Sequence, residues 1–445
     1  MASIDPPRVA TFRESPMSIA GVFAALLLGY ALISRSLGAW SISPQIVAVA
    51  VGILVGIVTT DAVLPHLTIE GLRLIGEVAL VLCLFTDAAR IDLRSIRGSA
   101  NVPARLLLIG LPLTIVFGVV VGLVVLPAIG LVTAFLVAVL LAPTDAGLGQ
   151  AVVSDRSVPV RIRQAINVES GLNDGLVTPL VLFAVAIGGF EITGAETETE
   201  WIRFAISEIG WGILAGLVIG VVGAWLLRWA VRSGQLSPSF RWVIAPSFAI
   251  LAWAVTPALG GNAFIAAFIA GMATTAVAGR LPDAFTEFGE TAGELAGLAV
   301  FFLFGTLLPS IEGFSIPVLV YAVLSLTVVR MVPVALSLVG TDLSWASVGF
   351  IGWFGPRGLA SIVLALLALG DGRVPVLAPG VVAVVAMTVL LSILAHGLSA
   401  GVLVRRYARA TARLDPTAPE LVDTPDLAAR RLAGVVGPGE ALSRT

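Results

Sequence analysis

Four polar residues, Glu169, Ser170, Asn173 and Asp174, lie inside an apolar stretch that runs from Ile162 to Ile187. Ionisable groups at bilayer depth are expensive, and they mark ion or proton pathways. On a helix, at about 100° per residue, Glu169 and Asn173 share one face and Ser170 and Asp174 share another. Glu169 and Asp174 stand about 140° apart on that wheel, so they do different work. One can face a water-filled cavity while the other packs against a partner. A carboxylate in a cavity suits a hard cation, which wants oxygen ligands. The same carboxylate also takes a proton, and it holds one or the other, not both well. The plainer reading is polar glue between helices, and it applies most directly to Ser170.

Two further motifs interrupt apolar runs. In Pro143-Thr144-Asp145 the proline removes a backbone donor and breaks a helix. The freed carbonyls and the Thr144 hydroxyl could then coordinate a cation, with Asp145 favouring its approach or holding the unwound segment. Gly355-Pro356-Arg357-Gly358 interrupts a second run. Paired broken helices in matching positions of two halves point to a transporter site. Arg357 there offsets helix C-terminal dipoles. Arg330, followed by Pro333, lies deep in another apolar span and needs an acid partner. Glu169 is the candidate, which leaves Asp174 free to work. Asp87, Asn262, His66 and His396 read as structural residues.

The elements that position these groups are membrane helices. The chain has 445 residues, 58% of them hydrophobic and 12% charged, more apolar surface than a soluble fold could hide. Net charge is −2, which implies no nucleic-acid partner. Cys83 is the single cysteine, so no intramolecular disulfide can form, and the chain contains no lysine. No P-loop and no metal-ligand spacing of Cys or His occurs, so no cofactor is expected.

Spans of about 20 apolar residues are expected at 17–34, 44–60, 72–89, 103–126, 129–153, 161–189, 201–231, 241–257, 261–279, 292–308, 314–340, 344–370 and 374–404. The runs are too long for barrel strands and do not alternate. The expected organisation is an N-terminal segment 1–16, a transmembrane domain 17–404 and a polar tail 405–445. The tail from Tyr407 onward reads as flexible.

Arginines cluster in alternate loops: Arg90, Arg94, Arg97 and Arg105, then Arg156, Arg161 and Arg163, then Arg228, Arg232 and Arg241. Arg405, Arg406, Arg409 and Arg413 follow the last span. The intervening loops are uncharged, or acidic at Glu191, Glu196, Glu198 and Glu200. The positive-inside rule then puts the C-terminus in the cytoplasm of a multi-pass cell (inner) membrane protein.

With these residues in place, the chain resembles the Na⁺/H⁺ exchangers of the monovalent cation:proton antiporter family, on its electroneutral branch. Four stretches carry the resemblance: Pro-Thr-Asp at 143–145, Glu-Ser-Gly-Leu-Asn-Asp-Gly at 169–175, Arg330 between valines and Met331, and Gly-Pro-Arg-Gly-Leu-Ala-Ser at 355–361. The resemblance implies an all-α antiporter fold of thirteen helices with inverted repeats, two broken crossing helices and a homodimer. It also implies that Asp174 carries cation and proton in turn, with Na⁺ held by Asp174, Thr144 and Ser170. Asn173 and Asp145 would support the crossing, and Glu169 would pair with Arg330. Electrogenic relatives carry two adjacent aspartates and a membrane lysine; here Asn173 holds the first position and no lysine exists. Ala146 departs from the proline that many relatives place after Thr-Asp.

The expected function is electroneutral antiport of one Na⁺ or Li⁺ for one H⁺ by alternating access in a lipid bilayer, without enzymatic activity. K⁺/H⁺ exchange is the nearest alternative. From other classes come an intramembrane aspartyl protease using Asp145 and Asp174, although Gly-x-Gly-Asp is missing, and a passive cation channel.

Overall fold

Long apolar runs can satisfy their backbone groups in lipid only as helices or closed barrels, and this chain is helical. The computed structural model describes residues 16–58, 64–90, 101–193, 198–279, 281–370 and 379–422. No strand occurs among them. In chain order the helices are α1 (Pro16–Ala39), α2 (Pro44–Val58), α3 (Leu64–Arg90), α4 (Asn101–Arg105), α5 (Leu111–Val125) and α6 (Gly130–Leu140). Then come α7 (Gln150–Val153), α8 (Val160–Thr193), α9 (Glu198–Arg232), α10 (Ile244–Val255), α11 (Ala263–Ala278) and α12 (Asp283–Leu307). The last are α13 (Ile316–Leu326), α14 (Val328–Ser337), α15 (Trp345–Trp353), α16 (Leu359–Gly370) and α17 (Pro379–Thr411).

Each of the thirteen expected spans corresponds to one helix or to an interrupted pair. Among the described residues, eight segments are long and apolar enough to cross a membrane, with shorter apolar helices at Pro44–Val58, Pro127–Leu140, Ala263–Ala278 and Leu359–Ala368.

Three details differ from the expectation. A π-helical turn, Leu106–Gly110, joins α4 to α5. The eleventh span is itself broken at Thr327, where φ −110° and ψ −88° leave the helical region between α13 and α14. α12 starts at Asp283 rather than near 292, because hydropathy rejects a half-helix carrying Glu287, Glu290 and Glu294. Arg90 on α3 reaches across to pair with Glu290.

Close helix approach relies on small residues. Along α9, a methyl group at Gly212, Gly216 or Gly220 would meet the backbone oxygens of Asn262, Ala266 and Ala270 at 3.0, 2.6 and 2.6 Å. α8 lies in the middle of the bundle, against α3, α6, α9, α11 and α16. Large apolar side chains such as Leu108, Val124, Trp225 and Trp229 stand outward, where lipid would cover them.

The expectation of a flexible tail fails for its first part. α17 continues to Thr411, and the following residues fold back onto the same end of the bundle. Arg161, at the start of α8, donates to Pro419 O at 2.6 Å. Glu420 is 2% exposed and accepts from Ser344 N and Ser347 Oγ, both at 2.7 Å. Tyr407 hydrogen-bonds Ser347 at 2.7 Å and stacks on Phe350 with ring centroids 4.1 Å apart. Residues 1–15 and 423–445, and with them most of the N-terminal segment and the rest of the tail, lie outside the described residues, as do Arg94, Arg97 and Glu196.

Burial pushes the Glu420 carboxyl up, but the hydrogen bonds from Ser347 and Ser344 outweigh it and hold the group below the usual glutamate range. A carboxyl depressed in the folded state contributes stability that is present above its unfolded value and is lost as pH falls through the folded one. Replacing Glu420 by Ala should therefore lower thermal stability at neutral pH by about 1 kcal/mol, as for loss of a helix N-terminal acceptor. The gap to wild type should close in acid, below the ordinary glutamate range. Melting curves of both proteins in detergent across pH check this, and a gap that widens in acid refutes it.

Candidate functional site

Two helix breaks face each other at the centre of the bundle. α6 ends at Leu140 and α7 begins at Gln150, so residues 141–149, with Pro143, are unwound. α15 ends at Trp353 and α16 begins at Leu359, so 354–358, with Pro356, are unwound. Asp145 N donates to Pro356 O at 2.7 Å, which ties one break to the other.

The charged residue of each break serves the helix end of the other. Asp145 Oδ2 accepts from Leu359 N at 2.7 Å, capping the start of α16. Its Oδ1 accepts from Gly147 N and Leu148 N at 2.7 and 3.3 Å. Arg357 is fully buried, and its Nη1 donates to Ala142 O at 2.5 Å and Pro143 O at 3.1 Å, at the end of α6. An acid at a helix N-terminus and a cation at a C-terminus are both the favourable sign. Glycine is required at two positions here. A side chain at Gly358 would collide with the Asp145 carboxylate, and one at Gly355 with the Arg330 guanidinium.

α8 lays its polar face against the first break. Ser170 Oγ is 2.8 Å from Thr144 Oγ1 and donates to Thr144 O at 2.9 Å. Asn173 Nδ2 donates to Thr144 Oγ1 at 2.6 Å. All three side chains are at least 96% buried. Asn173 Oδ1 is buried and makes no hydrogen bond to protein. Asp174, one turn on from Ser170, is half-buried, and Thr178 donates to its carbonyl at 2.8 Å.

On the Asn173 side of α8, one turn earlier, Glu169 meets α14. Arg330 pairs with Glu169 bidentately, Nη1 to Oε1 at 2.5 Å and Nη2 to Oε2 at 2.8 Å, and both residues are 2% exposed. The structure thus brings together Thr144, Asp145, Ser170, Asn173 and Arg357, with the Glu169–Arg330 pair beside the second break at Gly355.

Asp145 and Glu169, also candidates for binding the cation or proton, are engaged by protein groups here. Both Asp145 oxygens are taken by backbone N–H groups, which makes it a cap that holds the crossing. Both Glu169 oxygens are taken by Arg330. Asn262 caps α11, accepting from Phe264 N and Ile265 N at 3.0 and 3.2 Å. Asp87 is half-buried on α3, and the His66 side chain lies outside the described residues. Sequence reading missed Ser392 on α17, which accepts from Arg357 N at 2.6 Å. Its signal was a polar residue four positions before His396 in an otherwise apolar span.

Two cavities lie along the helices that carry these residues. One of about 440 Å³, at the arginine-rich end, is lined by Asp145, Asp155, Glu294, Leu359 and Arg405. The other, about 590 Å³, is lined by Glu77, Thr178, Glu208, Trp253 and Leu364. Glu77 is fixed there by Arg73 at 2.9 Å and Trp253 Nε1 at 3.1 Å.

A helical membrane bundle with two opposed broken helices, and with polar side chains gathered where they cross, is the architecture of a secondary transporter. The chain belongs to the sodium/hydrogen exchanger transmembrane family, whose model matches residues 22–406. It is similar to the Na(+)/H(+) antiporter of Schizosaccharomyces pombe, 26% identical over 54% of this chain and 55% of that protein. It is also similar to the K(+)/H(+) antiporter NhaP2 of Shewanella oneidensis, 26% identical over 53% of this chain and 41% of that one. The chain thus spans about half the length of these relatives. Its fold matches that of the sodium proton antiporter MjNhaP1 of Methanocaldococcus jannaschii, with a TM-score of 0.70 at 20% identity, over 88% of this chain and 99% of that one. The family is one of transporters, so the protease reading is set aside.

Removing one member of a buried pair strands the other charge and costs about 3–5 kcal/mol. Glu169→Ala and Arg330→Ala should each destabilise on that scale, and the double variant should cost clearly less than the sum. Denaturation of all four proteins in one detergent tests the coupling, and strict additivity would reject it.

Proposed function

We propose that the protein exchanges a monovalent cation for a proton at Asp174 by alternating access. One observation carries this reading. The Thr144 and Ser170 hydroxyls, 2.8 Å apart, and the Asn173 amide bound to Thr144 form a buried polar patch, with the half-buried Asp174 next to Asn173 and one helical turn after Ser170. Oxygen donors beside one carboxylate suit a hard cation, and the carboxylate takes a proton when the cation leaves. In this reading Na⁺ or Li⁺ is held by Asp174, Thr144 and Ser170. Asp145 and Arg357 keep the two breaks in register, and the Glu169–Arg330 pair braces α8 against α14. The two cavities at opposite ends fit access that alternates between faces. The arginine-rich end would face the cytoplasm, with the C-terminus there, in a homodimer in the cell membrane.

Exchange is one-for-one in this proposal. The empty carboxylate carries one negative charge, and one Na⁺ or one H⁺ neutralises it, so both loaded forms move with the same net charge. Asn173 does not titrate, and no lysine is present to release a second proton. A net charge carried across would be worth about 2.3 kcal/mol per 100 mV, so a neutral cycle ignores voltage. K⁺ is the competing substrate, since relatives named for Na⁺ and for K⁺ both match.

The decisive test is proteoliposome exchange with Na⁺, Li⁺ and K⁺ under an imposed proton gradient and clamped potential. Asp174→Asn should abolish exchange while the protein remains folded, and retained exchange would sink the assignment. Lowering pH should raise the apparent cation constant, by up to about tenfold per unit once protons hold the site, through mass action. A rate that follows the imposed potential would show that a second group titrates.

A further inference from the structure

The break between α15 and α16 leaves backbone groups exposed to the bundle interior, where a carbonyl or amide without a partner is costly. α17 supplies partners on both sides of it. At the end of α15, Trp353 O lies 2.9 Å from His396 Nε2. Within the break, Arg357 N donates to Ser392 Oγ at 2.6 Å. Ser392 Oγ is in turn 3.2 Å from His396 Nδ1. The Trp353 indole donates to Ser399 Oγ at 3.0 Å and packs on the imidazole, ring centroids 5.2 Å apart. Residues 392, 396 and 399 fall at i, i+4 and i+7, on one face of α17. Ser392 and His396 are fully buried, and the antiport reading gives neither of them a role.

Trp353 O can only accept, so His396 Nε2 carries a proton. Nδ1 has two neighbours on Ser392, the hydroxyl at 3.2 Å and the carbonyl at 2.8 Å. A neutral ring accepts the hydroxyl proton there, and a doubly protonated ring donates to the carbonyl. A further buried positive charge on the element that binds Arg357 is costly, which favours the neutral ring. The two states differ in whether the ring titrates during transport.

We propose that Ser392 and His396 are positioning residues for the cation site. They pin the two sides of the second break with a neutral imidazole, and the pinned segment holds the first break in place. The connection is continuous. Pro356 O accepts from Asp145 N, Leu359 N donates to the Asp145 carboxylate, and the neighbouring Thr144 binds Ser170 and Asn173. An α17 residue thereby sets the spacing of oxygen donors on α8 through the two breaks. The transport consequence rests on the antiport reading; the pinning does not.

The experiment compares wild type with His396→Ala, Ser392→Ala, the double variant and His396→Gln, as full-length protein. Deuterium uptake over residues 353–358 reads the pinning, and Na⁺-driven proton exchange in proteoliposomes across pH reads the site. Uptake should rise in both alanine variants, and their apparent Na⁺ constant should increase about tenfold or more, as when a supporting residue behind an ion ligand is lost. The double variant should be no worse than the more severe single one, because both residues belong to one chain of bonds. His396→Gln keeps an amide N–H for Trp353 O, and it should restore slow uptake, the Na⁺ constant and the wild-type pH profile. Unchanged uptake and Na⁺ constant in the alanine variants overturn the proposal. So does a His396→Gln protein that is slow to exchange deuterium yet has a displaced pH profile, because the ring would then titrate. If wild type itself exchanges no cation for protons, the antiport reading falls, and deuterium uptake still decides the pinning.

Discussion

Breaking a helix in an apolar interior leaves amides at one end and carbonyls at the other with nothing to bond, and the rest of this structure depends on how those groups are satisfied. Asp145 and Arg357 solve the problem by exchange. Each sits in one break and binds the helix end belonging to the other, acid to amides and guanidinium to carbonyls. Neither break could be unwound alone without stranding its own ends. The two prolines open the segments, the two charges close them on each other, and Gly358 makes the close approach possible.

A site held this way is rigid where it must be and polar where it must be. Thr144 is carried on the first break, so its hydroxyl and carbonyl are presented to α8 instead of being spent in a helix. α8 answers with Ser170 and Asn173 on adjacent turns. One turn before Asn173 the helix is anchored by the Glu169–Arg330 pair, whose bidentate geometry fixes rotation as well as distance. The break at Thr327 lies just before Arg330 and sets the local course of α14. One acid on α8 is therefore committed to position, and the other, Asp174, lies half-buried a turn beyond Ser170.

Much of this was legible in the sequence, because charge in an apolar run is an unambiguous signal. Glu169, Asp174, Arg330 and Arg357 announced themselves by their surroundings, and Pro143 and Pro356 marked the breaks. The thirteen spans followed from hydropathy for the same reason. What stayed hidden was the direction of each side chain. The sequence could not say that Asp145 spends both oxygens on amides, since capping and ligation draw on the same residue types. Ser392 and His396 were muted because hydroxyls and a neutral imidazole cost little in hydropathy. The ordered tail was hidden by its composition: one buried carboxylate, Glu420, holds a segment whose prolines and polar residues look unfolded. The Thr327 break and the π-helical turn have no sequence punctuation of their own, apart from Pro333 beyond the first.

The charges around the crossing are balanced through the backbone as well as directly. Glu169 cancels Arg330 by a bidentate pair. Asp145 and Arg357 cancel through the opposite helix ends they serve. Asn173 gives Thr144 its hydrogen bond without placing another charge in that buried patch, where a carboxylate would have to be paired or protonated. The polar crossing is thus assembled mostly from hydroxyls, an amide and backbone groups, and its charged members are those whose opposite charge or helix end lies within hydrogen-bond reach.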